Sequence, residues 1–407
     1  MTLSMQVAQS SPSLVYQEWT YADLWRRQQQ ETPALDSIQD LLWDSDSNDP
    51  NDTLSSSLFL FGCTRQGYLC VWKVPVPNET ETAGDDSPSP NAPTLPRGDQ
   101  RREPVWRQKI SPTGGSLHSL QWMDEPQADR LLVAGDGGIF VVNATRLRRE
   151  AEAAAPSISD DDVVMLHLRT HPSATGMSTV LDCQAGNTVG TQQQHVYGAA
   201  NDAFGGYQWD CSTGQVVRTM GQQGATSLAW MEEGGSRLAL GGMDGVVNFW
   251  DIKAASAKVP VARLKSSWKA PVQVCRSLSN DWLVVGQGGG GGSNAIGSGR
   301  NQSNAEDGYL ATWHVGMREC VAQVSTRASI QACDASPARI LSGGNDGRLL
   351  VWAPYSLQQE QQVAGLSVPS IRAVASSPSA HLTAVSGVGR TVDLLNEHFL
   401  AVDQLHL

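Results

Sequence analysis

The amino-acid sequence predicts an all-β protein in which seven repeated sheet units close into one ring. Glycine makes up 39 of the 407 residues, and charged residues make up only 17 %. This composition is typical of short strands joined by tight turns, and it argues against long charged helices and coiled coils. One pattern recurs seven times: an apolar strand, a turn with Gly, Asp or Asn, and a second apolar strand ending in Trp or an aliphatic residue.

The seven copies end at residues that we interpret as one structural position of the repeat: Trp72, Val142, Trp209, Trp250, Trp313, Trp352 and Leu394. The intervals between them are 70, 67, 41, 63, 39 and 42 residues. Three intervals are close to 40 residues, so the other three are expected to contain insertions.

A unit of this length, with a turn-linked strand pair and a terminal Trp, is typical of a blade of the WD40 β-propeller. A four-stranded blade cannot bury both of its apolar faces alone, but neighbours stacked around a ring cover both, and closure leaves no long sheet edge. We therefore predict a single seven-bladed propeller over residues 54–407, after an N-terminal tail of residues 1–53.

Segments outside the repeat are interpreted as tail or surface loops. Thr20 and Asp23 can form a capping box that opens a short N-terminal helix through about Gln30, and the acidic residues 36–52 are expected to form a loop. Pro-, Ser- and Gly-rich composition predicts long, disordered-like loop insertions, at about residues 75–103, 146–162, 174–194 and 286–307.

The turns of the repeat carry acidic residues, namely Asp136, Asp244 and Asp346. Glycine in the segments around Asp244 and Asp346 supplies the positive φ of a tight hairpin turn, and the Asp side chain can cap the amides of that turn. We therefore assign these residues a structural role. The Gly-His dipeptide of WD40 blades is largely missing, with His118 the nearest match, so stability is expected to depend mainly on packing.

No catalytic, cofactor-binding or metal-binding residues are predicted. His167 and His171 are four residues apart, but the local pattern is a strand followed by a Pro-turn, so one helical face would not hold both. The Gly-rich run from Gly286 precedes no helix that could bind phosphate. The seven cysteines include no CxxC pair, and no nucleophile elbow occurs. The sequence therefore favours a protein that is not an enzyme.

The net charge is −12, from 29 Lys and Arg against 41 Asp and Glu. Such a field repels phosphate, and the two basic clusters near Arg101 and Arg146 are short and neighboured by acids, so direct nucleic-acid contact is not expected. No stretch of about 18 apolar residues occurs, so no membrane contact is expected.

One tetrapeptide favours an alternative function. Trp250, Asp251, Ile252 and Lys253 resemble the W-D-x-R end of the box by which some WD40 proteins dock on the adaptor of cullin-RING ubiquitin ligases. Lys253 replaces the Arg, and an ammonium does not reproduce the planar fork of a guanidinium. The alternative interpretation is that Asp251 and Lys253 only cap the end of a strand.

The order of distinctive segments resembles one family of propellers. The segments are DWLVVG at 281–286, LATWHV at 310–315, RILSGGNDGRLLVWAPYS from Arg339, and a last blade without Trp that reads GRTVDLLNEHFLAVDQLHL to Leu407. Upstream, LLVAGDGGIFVV and LALGGMDGVVNFWDIKA occur in the same order. This arrangement is similar to that of the THO complex subunit 6 family.

The resemblance implies a non-catalytic scaffold subunit of the THO part of the transcription and export machinery. Its partners would be coiled-coil THO subunits, in assemblies that can associate further. Its location would be the nucleus, and its link to mRNA processing and export would be indirect, through proteins rather than through RNA contact.

Overall fold

The computed structural model shows seven four-stranded antiparallel sheets, each a simple meander of consecutive strands. It describes residues 36–44, 57–75, 102–111, 115–123, 129–153, 163–170, 178–187, 194–222, 224–231, 236–253, 259–266, 268, 270–288, 308–377 and 381–407. The predicted seven-bladed, all-β propeller is therefore confirmed. We number the sheets as blades 1 to 7 along the chain.

The strands of blades 1 to 4 are β1 (Ile38–Trp43), β2 (Ser57–Thr64), β3 (Tyr68–Pro75), β4 (Trp106–Lys109), β5 (Leu117–Trp122), β6 (Arg130–Gly135), β7 (Gly138–Asn143), β8 (Val164–Arg169), β9 (Val180–Asn187), β10 (Gln194–Ala200), β11 (Gly206–Asp210), β12 (Val216–Thr219), β13 (Ala225–Trp230), β14 (Arg237–Gly242), β15 (Val246–Asp251) and β16 (Ala262–Lys265). One helix, α1 (Ala144–Glu152), lies between β7 and β8.

The strands of blades 5 to 7 are β17 (Val272–Ser279), β18 (Trp282–Gln287), β19 (Gly308–His314), β20 (Glu319–Thr326), β21 (Ile330–Ala335), β22 (Ile340–Gly344), β23 (Leu349–Trp352), β24 (Gln359–Val363), β25 (Ile371–Ser377), β26 (Leu382–Gly387), β27 (Thr391–Leu395) and β28 (Ala401–His406). The first strand of each blade packs against the first strand of the next, and β25 packs against β1, so the ring is closed.

The core consists of seven apolar clusters, one at each junction between neighbouring blades. For example, Ile38 and Trp72 of blade 1 pack with Leu382 and Leu405 of blade 7. Each blade therefore buries its two faces against two different neighbours, as the repeat predicted.

Closure of the ring depends on contacts between blade 1 and blade 7, because each blade consists of consecutive strands and none is shared between the chain ends. The indole Nε1 of Trp72 donates to the carbonyl of His406 at 3.1 Å, and the amide of His406 donates to the carbonyl of Arg102 at 2.9 Å. The Arg102 guanidinium also lies 3.1 Å from the carboxylate of Asp403.

The predicted start of the propeller at residue 54 was wrong. Strand β1 (Ile38–Trp43) lies within the segment that was assigned to the tail and, from residue 36, to an acidic loop, and it is the innermost strand of blade 1. The acidic Asp40 belongs to this strand and faces the central channel, where its carboxylate accepts two backbone amides. An acidic residue therefore did not mark a loop here.

Two of the predicted insertions contain regular structure. Segment 174–194 includes β9, the innermost strand of blade 3, in which Asp182 and Gln184 interrupt the apolar pattern. Segment 146–162 begins inside α1, which Asn143 caps by accepting the Arg146 amide at 2.9 Å. Ala144, Leu147 and Ala151 are buried one helical turn apart, so one face of α1 packs on the core although the segment is rich in charged residues.

Other predicted segments fall largely outside the described residues. These are the N-terminal helix at residues 20–30, most of the insertion at 75–103, and residues 289–307 of the Gly-rich insertion. The described residues at their edges belong to strands: β3 ends at Pro75, and Gly286 and Gln287 belong to β18.

Candidate functional site

The innermost strands of the seven blades line the central channel in a common register. A β-bulge interrupts pairing near the start of each strand, at the same place in all seven blades. The residues that follow the bulge in blades 1 to 7 are Asp40, Ser119, Asp182, Ser227, Val274, Ala332 and Ala373. The residue at this position is therefore polar in blades 1 to 4 and apolar in blades 5 to 7.

Carboxylates in the channel join neighbouring blades. Asp40 Oδ2 accepts the amide of Leu120 in blade 2 at 2.8 Å, and Asp182 Oδ2 accepts the amide of Leu228 in blade 4 at 3.1 Å. Asp334 Oδ2 of blade 6 accepts the amide of Ser376 in blade 7 at 2.9 Å. Hydrogen bonds to charged acceptors are stronger than neutral ones, so these side chains hold the inner strands together.

Arg276 is the cation at the centre of this cluster. Its guanidinium in blade 5 lies 3.4 Å from Asp182 Oδ2 in blade 3, so the ion pair spans blade 4. Burial opposes the positive charge, but the carboxylates of Asp182 and Asp40 outweigh that effect and raise the pKa of Arg276. Burial also raises the pKa of Asp40 to about 6, against the smaller opposing effects of the Leu120 amide and Arg276.

Three tryptophans join the inner strands of neighbouring blades at the strand ends opposite the bulges. The indole of Trp43 donates to the carbonyl of Ala375 at 2.9 Å, that of Trp122 to Trp43 at 3.0 Å, and that of Trp230 to Ala185 at 2.6 Å. Each donor is in the blade after its acceptor around the ring. These bonds repeat one junction geometry and give the indole nitrogen of each ring a partner.

The open space in the channel is small and has both polar and apolar lining residues. A cavity of about 380 Å³ lies at one end, beside Asp40, Asp182, Arg276 and Asp334. A narrower space of about 90 Å³ lies beside Gln39, His118 and Gln273. The channel side chains can bind polar or charged groups, and they hold neighbouring blades together.

The buried cysteines are held as thiols. Burial raises the pKa of Cys275 and of Cys333 to about 12, and it also raises the pKa of Cys63 and Cys183 well above the usual value of a thiol. Thiolates are the reactive form, so these side chains act as small apolar groups of the core.

The seven repeat residues lie at equivalent places on the third strand of each blade. Each is buried and pairs with an apolar residue of the second strand, as Trp72 does with Leu60 and Trp250 with Leu238. Trp352 donates its indole to Ser342 Oγ at 2.8 Å. The remaining pairs are Val142 with Leu131, Trp209 with Val196, Trp313 with Leu283, Trp352 with Ile340 and Leu394 with Ala384.

The turn carboxylates divide into two groups. Asp244 and Asp346 each accept an amide of their own turn, from Val246 at 3.1 Å and from Arg348 at 3.2 Å. Gly245 and Gly347 in these turns have φ of 75° and 73°.

Asp136 instead joins blade 2 to the Thr179 side chain that precedes β9, which donates to it at 2.8 Å. His118 lies 3.7 Å away. Burial opposes the charge, but the contacts from His118, Thr179 and the Ser116 amide hold the pKa of Asp136 below its usual value.

The tetrapeptide from Trp250 to Lys253 ends the third strand of blade 4. Trp250 is buried, with 2 % of its surface exposed, and the Arg218 guanidinium lies 5.7 Å from its ring centroid. Asp251 Oδ1 accepts the Lys253 amide at 2.9 Å, so this carboxylate caps the strand end. Lys253 itself is exposed.

His167 stacks on Phe140, with ring centroids 4.4 Å apart. Burial and the charge of Arg169 lower its pKa, and His171 lies outside the described residues. Across the described part of the chain, no three His, Cys, Asp or Glu residues are grouped to hold a metal ion. No helix in the same part has the length and apolar character to cross a membrane.

The fold is that of known propellers. The WD40 β-propeller domain of Doa1 matches 86 % of this chain over 90 % of its own length, with a TM-score of 0.55 and 12 % identity. The computationally designed Ika8 protein matches 91 % of this chain over 87 % of its own, with a TM-score of 0.54 and 14 % identity. No protein-family model and no curated protein sequence matches the chain. The chain is thus a WD40-type β-propeller in fold.

Proposed function

We propose that this protein is a non-catalytic scaffold that binds other proteins, and that it serves as a subunit of the THO complex in the nucleus. The observation that carries the scaffold function is the use of the channel groups: Asp40, Asp182 and Asp334 bond to neighbouring blades, and Arg276 pairs with Asp182. These three carboxylates and Arg276 therefore stabilise the ring, and the surface remains for partners.

Membership of the THO complex is supported by the sequence resemblance, which is strongest in blades 4 to 7. The net charge of −12 favours protein partners over RNA, so coiled-coil THO subunits are the proposed partners and the link to mRNA export is indirect. Propellers serve many functions, so the fold alone does not select among complexes.

A cullin-RING substrate receptor is the second candidate, and one observation favours it. Arg218 approaches the tetrapeptide and donates to the Asp251 carbonyl at 3.4 Å, so a guanidinium lies beside this box although position 253 is Lys. Trp250 is buried, which makes its replacement unsuitable as a test, since the fold would be damaged. Lys253→Glu changes only the exposed end of the box.

Affinity purification from nuclear extract, with and without nuclease, separates the two candidates. The THO proposal predicts recovery of THO subunits that resists nuclease and is unchanged by Lys253→Glu. Recovery of a cullin-RING adaptor that is lost in Lys253→Glu, without THO subunits, would replace the first candidate by the second. If THO subunits are recovered without nuclease but are lost after nuclease treatment, RNA carries the association, contrary to the proposal.

A further inference from the structure

A groove between blades 3 and 4 combines unpartnered amide side chains with exposed cations. It has a volume of about 780 Å³, within the range of ligand-binding clefts. Asn248 of β15, with Arg263 and Lys265 of β16, lines one wall, and Gln222 lines the other. Met243 lies at the rim with 49 % of its surface exposed.

Asn248 interrupts an apolar pattern of the repeat. It lies two residues before the repeat residue Trp250, where the other six blades place apolar or aromatic side chains: Cys70, Phe140, Tyr207, Ala311, Leu350 and Val392. Asn248 is 8 % exposed, and its Oδ1 accepts no hydrogen bond within the described residues. Local rules of a fold are most often broken where a protein has a function.

Gln222 on the facing wall also has a buried side-chain amide whose oxygen has no partner among the described residues. It is 6 % exposed, its Oε1 has no partner within the described residues, and its Nε2 donates only a long bond to the Val246 carbonyl, at 3.4 Å. A half-turn about the last side-chain bond exchanges the two ends of an amide, so each of these side chains can offer a donor or an acceptor to a ligand.

Unpartnered polar atoms are concentrated at this junction. Eight buried side-chain atoms without a partner occur among the described residues, and four belong to the junction of blades 3 and 4: Tyr197 Oη, Gln222 Oε1, Asn248 Oδ1 and Trp250 Nε1. Buried polar groups are normally satisfied. Of these four, Gln222 Oε1 and Asn248 Oδ1 belong to residues that line the groove, so they are the atoms that a bound partner would satisfy.

The charges of the groove indicate what that partner carries. Arg263 and Lys265 are exposed two residues apart on one strand, opposite Asn248 and Val246 in register, and no ion pair is formed by either with a described residue. Two carboxylates also line the groove. Asp202 accepts from Ser178, Tyr207, Phe204 and Gly205; burial opposes its charge, but these donors hold the pKa of Asp202 below the usual value. Asp244 caps its own turn.

We propose that this groove binds an extended acidic peptide of a partner protein. Its backbone would pair with the amides of Asn248 and Gln222, an acidic side chain with Arg263 and Lys265, and an apolar side chain with Met243. A peptide fits better than nucleic acid because it can place one acidic side chain at Arg263 and Lys265 and stay uncharged elsewhere. Every nucleotide instead adds a phosphate, which Asp202, Asp244 and the net charge of −12 repel. The inference rests on the scaffold part of the proposed function and not on THO membership.

The test is a selection of random twelve-residue displayed peptides on the full chain. Enriched peptides should share acidic residues. In fluorescence anisotropy, Arg263→Glu/Lys265→Glu should weaken their binding at least tenfold, and Lys73→Glu/Lys109→Glu, which makes the same charge change at exposed sites of blade 1, should alter it less than twofold.

Asn248→Leu gives an independent readout. It restores the apolar pattern, so it should leave the melting temperature unchanged or raise it, while weakening peptide binding at least fivefold. A purely structural Asn248 would show no loss of binding.

Three results would overturn the proposal: no enriched acidic peptide, equal binding of the enriched peptides to Arg263→Glu/Lys265→Glu, or binding of a labelled twelve-nucleotide oligouridine with the same residue dependence in place of peptides. Loss of this site with intact recovery of THO subunits would leave the proposed function standing. Peptide binding at this groove without recovery of THO subunits would support the groove proposal and contradict THO membership.

Discussion

Arg276 in blade 5 and Asp182 in blade 3 form an ion pair at 3.4 Å across the central channel, although the blade between them separates their strands. Asp182 also accepts Ser119 Oγ of blade 2 at 3.0 Å and the Leu228 amide of blade 4 at 3.1 Å. One carboxylate therefore connects four blades. This arrangement predicts that the channel cluster contributes to the stability of the whole ring.

Arg276→Ala should lower the free energy of unfolding by about 1–3 kcal/mol, between the values for exposed and buried pairs, because it leaves Asp182 and Asp40 without their cation. Arg348→Ala removes a more exposed pair with Asp346 at 3.5 Å and should cost about 0–1 kcal/mol. Urea unfolding of both variants measures the difference. Equal losses would show that the channel pair has no special role.

Protonation of Asp40 should stabilise the ring. The pKa of Asp40 is about 6 in the folded chain and 3.8 for the ordinary side chain, so the folded state binds this proton more tightly. The contribution is complete below about pH 4 and is lost as the pH rises to about 6. It amounts to about 1–3 kcal/mol.

Asp40→Asn isolates that contribution, since other carboxylates such as Asp136 and Asp202 have lowered pKa values and act in the opposite direction. Unfolding at pH 7 and pH 4.5 should show the wild type gaining stability relative to Asp40→Asn at the lower pH. If the difference in free energy of unfolding between wild type and Asp40→Asn is the same at both pH values, or changes in the opposite direction, the buried environment assigned to Asp40 is contradicted.

Trp352→Ala should lower the free energy of unfolding by about 3–5 kcal/mol, because this side chain is buried between blades 5 and 6. Trp352→Phe keeps most of the packing but leaves Ser342 Oγ without its indole donor, so a loss of about 1–2 kcal/mol is expected. Thermal and urea unfolding report both. A Phe variant as damaged as the Ala variant would mean that the hydrogen bond, not packing, dominates.

Removal of residues 405–407 should open the ring. It deletes the buried Leu405 and the backbone groups of His406 that bond to Trp72 and Arg102, and we expect a loss of about 3–5 kcal/mol. Arg102→Ala, which removes only the exposed pair with Asp403, should cost at most about 1 kcal/mol. If the truncated chain unfolds at the same urea concentration as Arg102→Ala, closure does not depend on these contacts.

The sequence predicted those parts of the fold that repeat with the chain. The third-strand positions from Trp72 to Leu394 recur because every blade buries the same place against its neighbour. Strands β1 and β9 were missed because Asp40 and Asp182 face the channel, where acidic residues are bonded to the next blade. An acidic residue in a single sequence carries no sign of that environment.

The candidate sites could be predicted less well, because they join residues far apart in the chain. Arg276 meets Asp182 only when blades 3 and 5 are placed around the ring. The groove at Asn248 could have been suspected from the sequence, since an amide stands where six other repeats place apolar residues. Its cations and the facing Gln222 are assembled only by the packing of blades 3 and 4.

The measurement that tests the scaffold function most directly is the mass and composition of the native protein after nuclease treatment, by gel filtration with light scattering and mass spectrometry. A THO scaffold subunit should elute in an assembly much larger than the 43.7 kDa chain, with THO subunits in a fixed ratio to it. A species that elutes at the mass of the chain alone, with no bound protein, would contradict the scaffold function.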